Sequence, residues 1–152
     1  MAIISAVDQE TLRERFAREM EGDVTILHFT KAPSRLLIPG HQPDSPYLQQ
    51  TEQLLREVAD LSEHITLEIH DVRQEPEAAE RWAIERVPAT ILVGPPEGRL
   101  RFFGIPAGYE FAAFVDDLIA AANGQSRLSE ASRESLEGLR GDAHIQVFVT
   151  PT

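Results

Sequence analysis

Apolar residues along the chain recur with two alternating periods, and the alternation outlines most of the fold. Leu12, Phe16 and Met20 return every four residues, with Arg13, Glu14, Arg18 and Glu19 elsewhere, which predicts an amphipathic helix capped by Asp8 and stopped at Gly22. The next run, Val24-Thr25-Ile26-Leu27-His28-Phe29-Thr30, is apolar on both faces at period two, as a central strand covered on both sides requires. An irregular segment from Lys31 to Asp44 follows, carrying Pro33, Pro39, Gly40 and Pro43. Helical spacing then resumes from about Pro46 to Glu63, with Tyr47, Leu54, Leu55, Val58 and Leu61 as the buried stripe and Asp44 or Ser45 as cap.

Ile65, Leu67 and Ile69 alternate with Thr66, Glu68 and His70, the pattern of a half-covered strand near a sheet edge. Strand, helix and strand in this order make a parallel crossover. Pro76 opens a short helix with Ala79, Trp82 and Ala83 inward, which ends before Pro88 because proline disfavours helical geometry in the residue ahead of it. Thr90-Ile91-Leu92-Val93 and Leu100-Arg101-Phe102-Phe103 flank the turn-rich Gly94-Pro95-Pro96-Glu97-Gly98 and read as an antiparallel hairpin. A further helix from about Tyr109 to Ala122 buries Phe111, Phe114, Val115, Leu118 and Ile119 and closes at Asn123-Gly124.

This order, βαβ followed by ββα behind an added amino-terminal helix, predicts an α/β domain over residues 1–124 with a thioredoxin-like mixed sheet and flanking helices. Residues 125–152 form a separate extension: a polar helix capped by Ser129 with only Leu136 and Leu139 inward, then a strand from His144 to Thr150. A terminal strand with apolar Ile145, Val147 and Val149 needs a neighbour, so it is expected to join this sheet, a second copy, or the start of a second unit.

Composition narrows the chemistry. The 152 residues suit one domain that folds without staples, and they include no cysteine, which excludes a disulfide, a thiolate nucleophile or an iron–sulfur cluster supplied by this chain. A formal net charge of -11 opposes nucleic acid and anionic membrane as partners. No apolar run is long enough to span a bilayer, and the amino end lacks the form of a signal peptide, so a cytoplasmic location is expected.

Three motifs give the chain a family likeness. Thr51-Glu52-Gln53-Leu54-Leu55-Arg56-Glu57-Val58-Ala59 follows the loop, Val87-Pro88-Ala89-Thr90 precedes an apolar strand, and Phe103-Gly104-Ile105-Pro106-Ala107-Gly108-Tyr109-Glu110-Phe111 leads into the last core helix. With them, the chain from Val24 onward resembles the amino-terminal unit of the two-unit protein disulfide oxidoreductases, which are glutaredoxin-like proteins. The amino-terminal domain of the alkyl hydroperoxide reductase flavoprotein subunit is a relative. The resemblance implies an active site reading Cys-Pro-Tyr-Cys at a helix start, where this chain has Ser45-Pro46-Tyr47-Leu48. Ser45 thus stands at the nucleophilic cysteine's position and Leu48 at the resolving cysteine's, while Pro46 and Tyr47 match. It also implies a cis peptide at Pro88, beside which main-chain groups at Val87 pair with an extended peptide, and it makes Val147 to Thr152 similar to the first strand of a second unit.

The expected function follows. Thiol exchange needs a thiolate and a second thiol, and Ser45, with no base in sequence reach and no glycine-flanked elbow, serves as a helix cap. The chain reads as a redox-inactive, architectural or protein-binding domain with no catalytic residue. The alternative is the docking or regulatory half of an active thiol–disulfide oxidoreductase whose thiols lie beyond residue 152. Pro46, Tyr47, Val87 and Pro88 are the candidate peptide-binding residues. His28, His41, His64 and His70 lack the spacing of a metal site, and no cofactor is expected. Leu36, Leu37 and Ile38 form either an exposed contact surface or a lid, and the His144 to Thr150 strand is a candidate homodimer joint.

Overall fold

The computed structural model describes residues 2–32, 47–95, 98–126 and 128–147. Its core elements, in chain order, are α1 (Ala6–Glu19), β1 (Val24–Thr30), α2 (Tyr47–Ala59), β2 (Ile65–Asp71), α3 (Pro76–Arg81), β3 (Ala89–Gly94), β4 (Gly98–Phe103) and α4 (Tyr109–Asn123). The sheet runs β2-β1-β3-β4. β1 and β2 are parallel with α2 as their crossover, and β3 lies antiparallel to both β1 and β4. β1 is therefore interior and β2 is an edge, as the two apolar patterns require.

Alternation along β1 feeds two cores. Val24 and Ile26 pack with Phe16 of α1, Leu54, Leu55 and Val58 of α2, Leu92 of β3, and Phe114 and Leu118 of α4. Leu27 and Phe29 face the other way, with Ala89 and Ile91, against Trp82, Ile84 and the alanines of α3. His28 and Thr30 share the face of Val24 and Ile26, because side chains two residues apart lie on one side of a strand.

α4 sits so close to the sheet that two positions admit no side chain. A Cβ on Gly94 would lie 1.9 Å from the Ala121 carbonyl oxygen, and one on Gly22 would lie 2.4 Å from that of Ala122. The small residues Ala120 to Ala122 complete this close approach.

α1 is tied at both ends by residues distant in the sequence. The Glu57 carboxylate accepts from the backbone N–H groups of Ile3 (2.9 and 3.0 Å) and Ile4 (2.8 Å), which holds it below the usual carboxylate range against the opposing effect of burial. At the other end of α1, Asn123 donates to the Glu19 carbonyl (2.7 Å) and accepts from the Glu21 N–H (2.8 Å). Arg15 pairs with Asp116 and Glu19.

Several expectations are corrected by the structure. The cap of α1 is Ser5, whose hydroxyl accepts from the Asp8 N–H at 3.2 Å, and Asp8 belongs to the first turn, where its charge suits the helix's positive end. Tyr47 is 53% exposed, and the stripe of α2 runs instead through Leu48, Thr51, Leu54, Leu55 and Val58. In the short helix, Ala79 and Trp82 do pack inward, but Ala83 is exposed at φ +50, past the helix end. In β4, Phe102 packs against the main core and its neighbour Phe103 is 40% exposed.

Beyond α4, every described residue from 128 to 147 is exposed. α5 (Glu130–Glu137) is capped by Ser129 as expected, yet it buries nothing, and Leu136 and Leu139 face solvent. Residues 142–147 form no strand and pair with neither edge of the sheet, leaving Ile145 (80%) and Val147 (78%) open. Residues 148–150 of that expected strand lie outside the described residues. Among the described residues no helix is long and apolar enough to cross a membrane.

Candidate functional site

Three pieces of backbone converge where β1 ends. α2 begins with Tyr47 and Leu48, the Val87–Pro88 peptide is cis, and the Gly104 N–H donates to the Pro88 carbonyl at 2.9 Å. Gly104 has φ +97, a backbone angle that a side chain strongly disfavours, and the bond it makes fixes the end of β4 against Pro88. Val87 is half-buried and Pro88 buried. Ser45, Pro46, His41 and the Leu36 to Ile38 run lie outside the described residues. Of the sequence-derived site residues, Tyr47 and Leu48 open α2 and Val87 and Pro88 lead into β3.

Leu48 is buried, so an apolar side chain fills the place that the resemblance gives to a second thiol. Four polar side chains are also kept out of water: His28, Thr30, Thr51 and Thr90 are all buried. Thr51 donates to the Tyr47 carbonyl one turn back at 2.6 Å, which explains how a hydroxyl is tolerated there. His28 pairs with Thr90 across the β1–β3 ladder, with Nδ1 and Oγ1 3.4 Å apart, a long contact.

The other ring nitrogen of His28, Nε2, has no hydrogen-bond partner among the described residues. Burial pushes the imidazole down to about 4; the charge of Glu52 and the Ala89 carbonyl pull upward, and Arg56 adds a smaller downward push. The ring is thus neutral near pH 7. Its remaining nitrogen can accept or donate one bond, according to tautomer, under the first turns of α2.

Asp71 shapes the approach to the site. Its carboxylate accepts from the backbone N–H of Arg73 (2.9 Å) and of Ala32 (3.0 Å), and these bonds hold it below its ordinary range despite partial burial. The chain is thereby pinned just past β1. His70, next to it, stacks on Phe29 with ring centroids 5.1 Å apart and bonds Glu75 at 2.7 Å. Phe29 belongs to the core on the α3 side, so His70 and His28 occupy opposite faces of the sheet and cannot share a ligand. His64 bonds Asp23 at 2.8 Å, and no group of three or more metal-ligating side chains occurs among the described residues.

Sequence reasoning did not find Thr51 or Thr90 as buried polar groups, nor Asp71 as a clamp. The helical phase of Leu55 and Val58 points back to Thr51 and Leu48, and that signal was available. The Asp71–Ala32 contact crosses 39 residues and leaves no local trace.

A parallel βαβ unit, a ββα unit and a cis proline at the entry to β3 together define a thioredoxin-like fold, here in a chain without cysteine. No protein-family model matches the chain. In sequence it is similar to the alkyl hydroperoxide reductase protein AhpF of Staphylococcus epidermidis, 26% identical over 104 residues, which is 68% of this chain and 18% of that protein. In structure it is similar to the AhpF protein (C503A mutant) of Enterococcus faecalis V583, with a TM-score of 0.72 and 22% identity. It is equally similar to a protein disulfide oxidoreductase of Aeropyrum pernix K1, with a TM-score of 0.72 and 22% identity. Each of these two structural comparisons covers 90% of this chain, which spans 61% and 56% of those structures. The two protein types to which the motifs pointed are thus those that the sequence and fold resemble.

Proposed function

We propose that this chain is a redox-inactive thioredoxin-like unit that docks an extended segment of a protein partner at the Val87–Pro88 edge and serves as a scaffold there. The observation that carries the reading is a retained cis proline and helix start beside a chain with no cysteine. Docking by main-chain pairing needs no sulfur, since the donors and acceptors are peptide groups. Tyr47, exposed at the first turn of α2, and Val87, half-buried ahead of Pro88, flank the place where such a segment would lie. Pro46 would complete the rim.

With dithiothreitol as reductant, the chain is expected not to accelerate insulin reduction over blank. Turnover clearly above blank would contradict a redox-inactive unit.

A second reading is favoured by coverage. This chain corresponds to a little over half of structures named for a hydroperoxide reductase and a disulfide oxidoreductase, so it can serve as the docking or regulatory half of such an enzyme, with thiols supplied by another unit. We place either activity in the cytoplasm, and we expect neither nucleic acid nor membrane as partner, on the charge of -11.

We further propose self-association through the His144 to Thr150 segment, for which the support is the exposure of Ile145 and Val147. In analytical ultracentrifugation the chain is expected to sediment as a dimer and its truncation after Gly141 as a monomer. The same state before and after truncation removes the segment as the joint.

A further inference from the structure

We propose that the open edge of β4 beside Pro88 recognises an acidic, extended segment of a protein partner, with Arg86 and Arg101 reading its carboxylates on either side of Phe103. The proposal rests on the peptide-docking reading above and adds the chemistry of the peptide.

Among the described residues β4 is the last strand of the sheet and is bonded to β3 on one side only, so its outward main-chain groups are available there for a further strand. Arg101 lies opposite Ile91 and Phe103 opposite Ala89, which places both on the sheet face of the α3-side core. Arg86 joins them from the loop before β3: its guanidinium carbon stands 4.5 Å from the centroid of the Phe103 ring. The Gly104–Pro88 hydrogen bond brings this end of β4 against the cis proline. The result is an exposed Arg–Phe–Arg array on the β4 strand and the loop that carries the cis proline.

The charge pattern is what selects the occupant. The chain holds 25 Asp and Glu against 14 Lys and Arg, so a carboxylate is easy for any arginine to find. Arg13, Arg15, Arg18 and Arg56 are ion-paired, and Arg73 and Arg133 donate to backbone carbonyls. Arg86 and Arg101 touch no carboxylate among the described residues, although Glu85 adjoins Arg86 in sequence. Arg81, laid 5.9 Å from the Trp82 centroid, and Arg140 in the extension are likewise without an ion pair among the described residues.

A guanidinium laid on an aromatic face is held in orientation by the ring quadrupole while its N–H edge stays open. That edge matches a carboxylate in a bidentate pair, and little side-chain freedom remains to be lost when the pair forms. In a strand added to β4, alternate side chains fall on the Arg101 and Phe103 face about 7 Å apart. Glutamates or aspartates at alternate positions therefore meet the two arginines, and lysines there are repelled.

The test uses the full chain and three fluorescein-labelled octapeptides in which threonine alternates with glutamate, glutamine or lysine, titrated by fluorescence anisotropy. The glutamate peptide is expected to bind roughly ten-fold more tightly than the glutamine peptide at low salt, with the difference shrinking at about 0.5 M salt. Arg86→Gln and Arg101→Gln should each remove most of that difference. Equal affinity for the glutamate and glutamine peptides, or tighter binding of lysine, overturns the acidic preference yet leaves peptide docking standing. No binding of any of the three up to about 1 mM, roughly 4 kcal/mol of binding energy, overturns docking at this edge and the present proposal with it.

Discussion

Gly94→Ala is expected to lower the free energy of unfolding by about 3 kcal/mol, whereas Gly141→Ala should change it by less than about 0.5 kcal/mol. The first substitution places a methyl group 1.9 Å from the Ala121 carbonyl oxygen, a contact that only movement of β3 or α4 can relieve. Neither moves cheaply. Leu92, two residues before Gly94, and Leu118 and Ile119 just before Ala121 are buried in the same core, and Ala122 is buried beside them. A packed interior turns a displacement of this kind into many lost contacts. Gly141 has nothing within 4 Å of the place a Cβ would occupy, so the same chemical change there tests alanine itself. Urea unfolding followed by circular dichroism measures both. A Gly94→Ala midpoint equal to that of the wild type would show that the helix is not seated against the strand as described.

The second large effect is in pH. His28 is fully buried, and burial carries its folded-state value down to about 4 from an ordinary 6.5. The unfolded chain therefore takes up this proton first. Stability is complete above about pH 6.5, falls as pH drops toward 4, and is then reduced by on the order of 3 kcal/mol from this group. His28→Leu keeps the volume, removes an Nε2 that has no partner among the described residues, and should flatten the dependence between pH 6.5 and 4.

Glu57 and Asp71, both held below their ordinary range, work in the opposite sense at lower pH: their contribution is present above the unfolded carboxylate range and is lost as pH falls through their lowered values. They are common to both proteins and cancel in the difference. The measurement is the urea midpoint of wild type and variant at half-unit steps from pH 4 to 8. Parallel curves would mean that His28 is not the group that sets the slope.

These two residues, Gly94 and His28, also show what local pattern can and cannot reveal. The burial of His28 was legible, because a strand apolar on both faces leaves no outward position for it. Its missing partner was not, since that depends on which residues of α2 and β3 arrive opposite. The order of strands and helices was legible for the same reason: each element's period is a property of neighbouring residues, and the rules of chain connection leave only a few compact topologies for βαβ then ββα. The closeness of Ala121 to Gly94 belongs to the packing of two elements and has no local trace.

Side-chain detail at the ends of elements was less accessible. Tyr47 and Leu48 stand seven residues before Leu54 and Leu55 respectively, so both fit the helical repeat, and the choice between them depends on how the chain enters α2. Ala83 leaves its helix at φ +50, and alanine carries no signal for that conformation. The 144–147 segment has the alternation of a strand, but alternation confers only the capacity to pair; a strand forms when an edge is offered. The Arg86–Phe103 contact joins a loop to a strand 17 residues on and has no periodic trace.

The fastening of α1 bears on how the protein is made. Its amino end waits on Glu57 and its carboxyl end on Asn123, with Asp116 between, so α1 leaves the ribosome before every residue that fastens it. Until residue 123 has been synthesised, Phe16 and Leu12 have no finished surface to rest on. A nascent chain stalled earlier should therefore present that helix to proteases and chaperones while the rest of the sheet is already assembling.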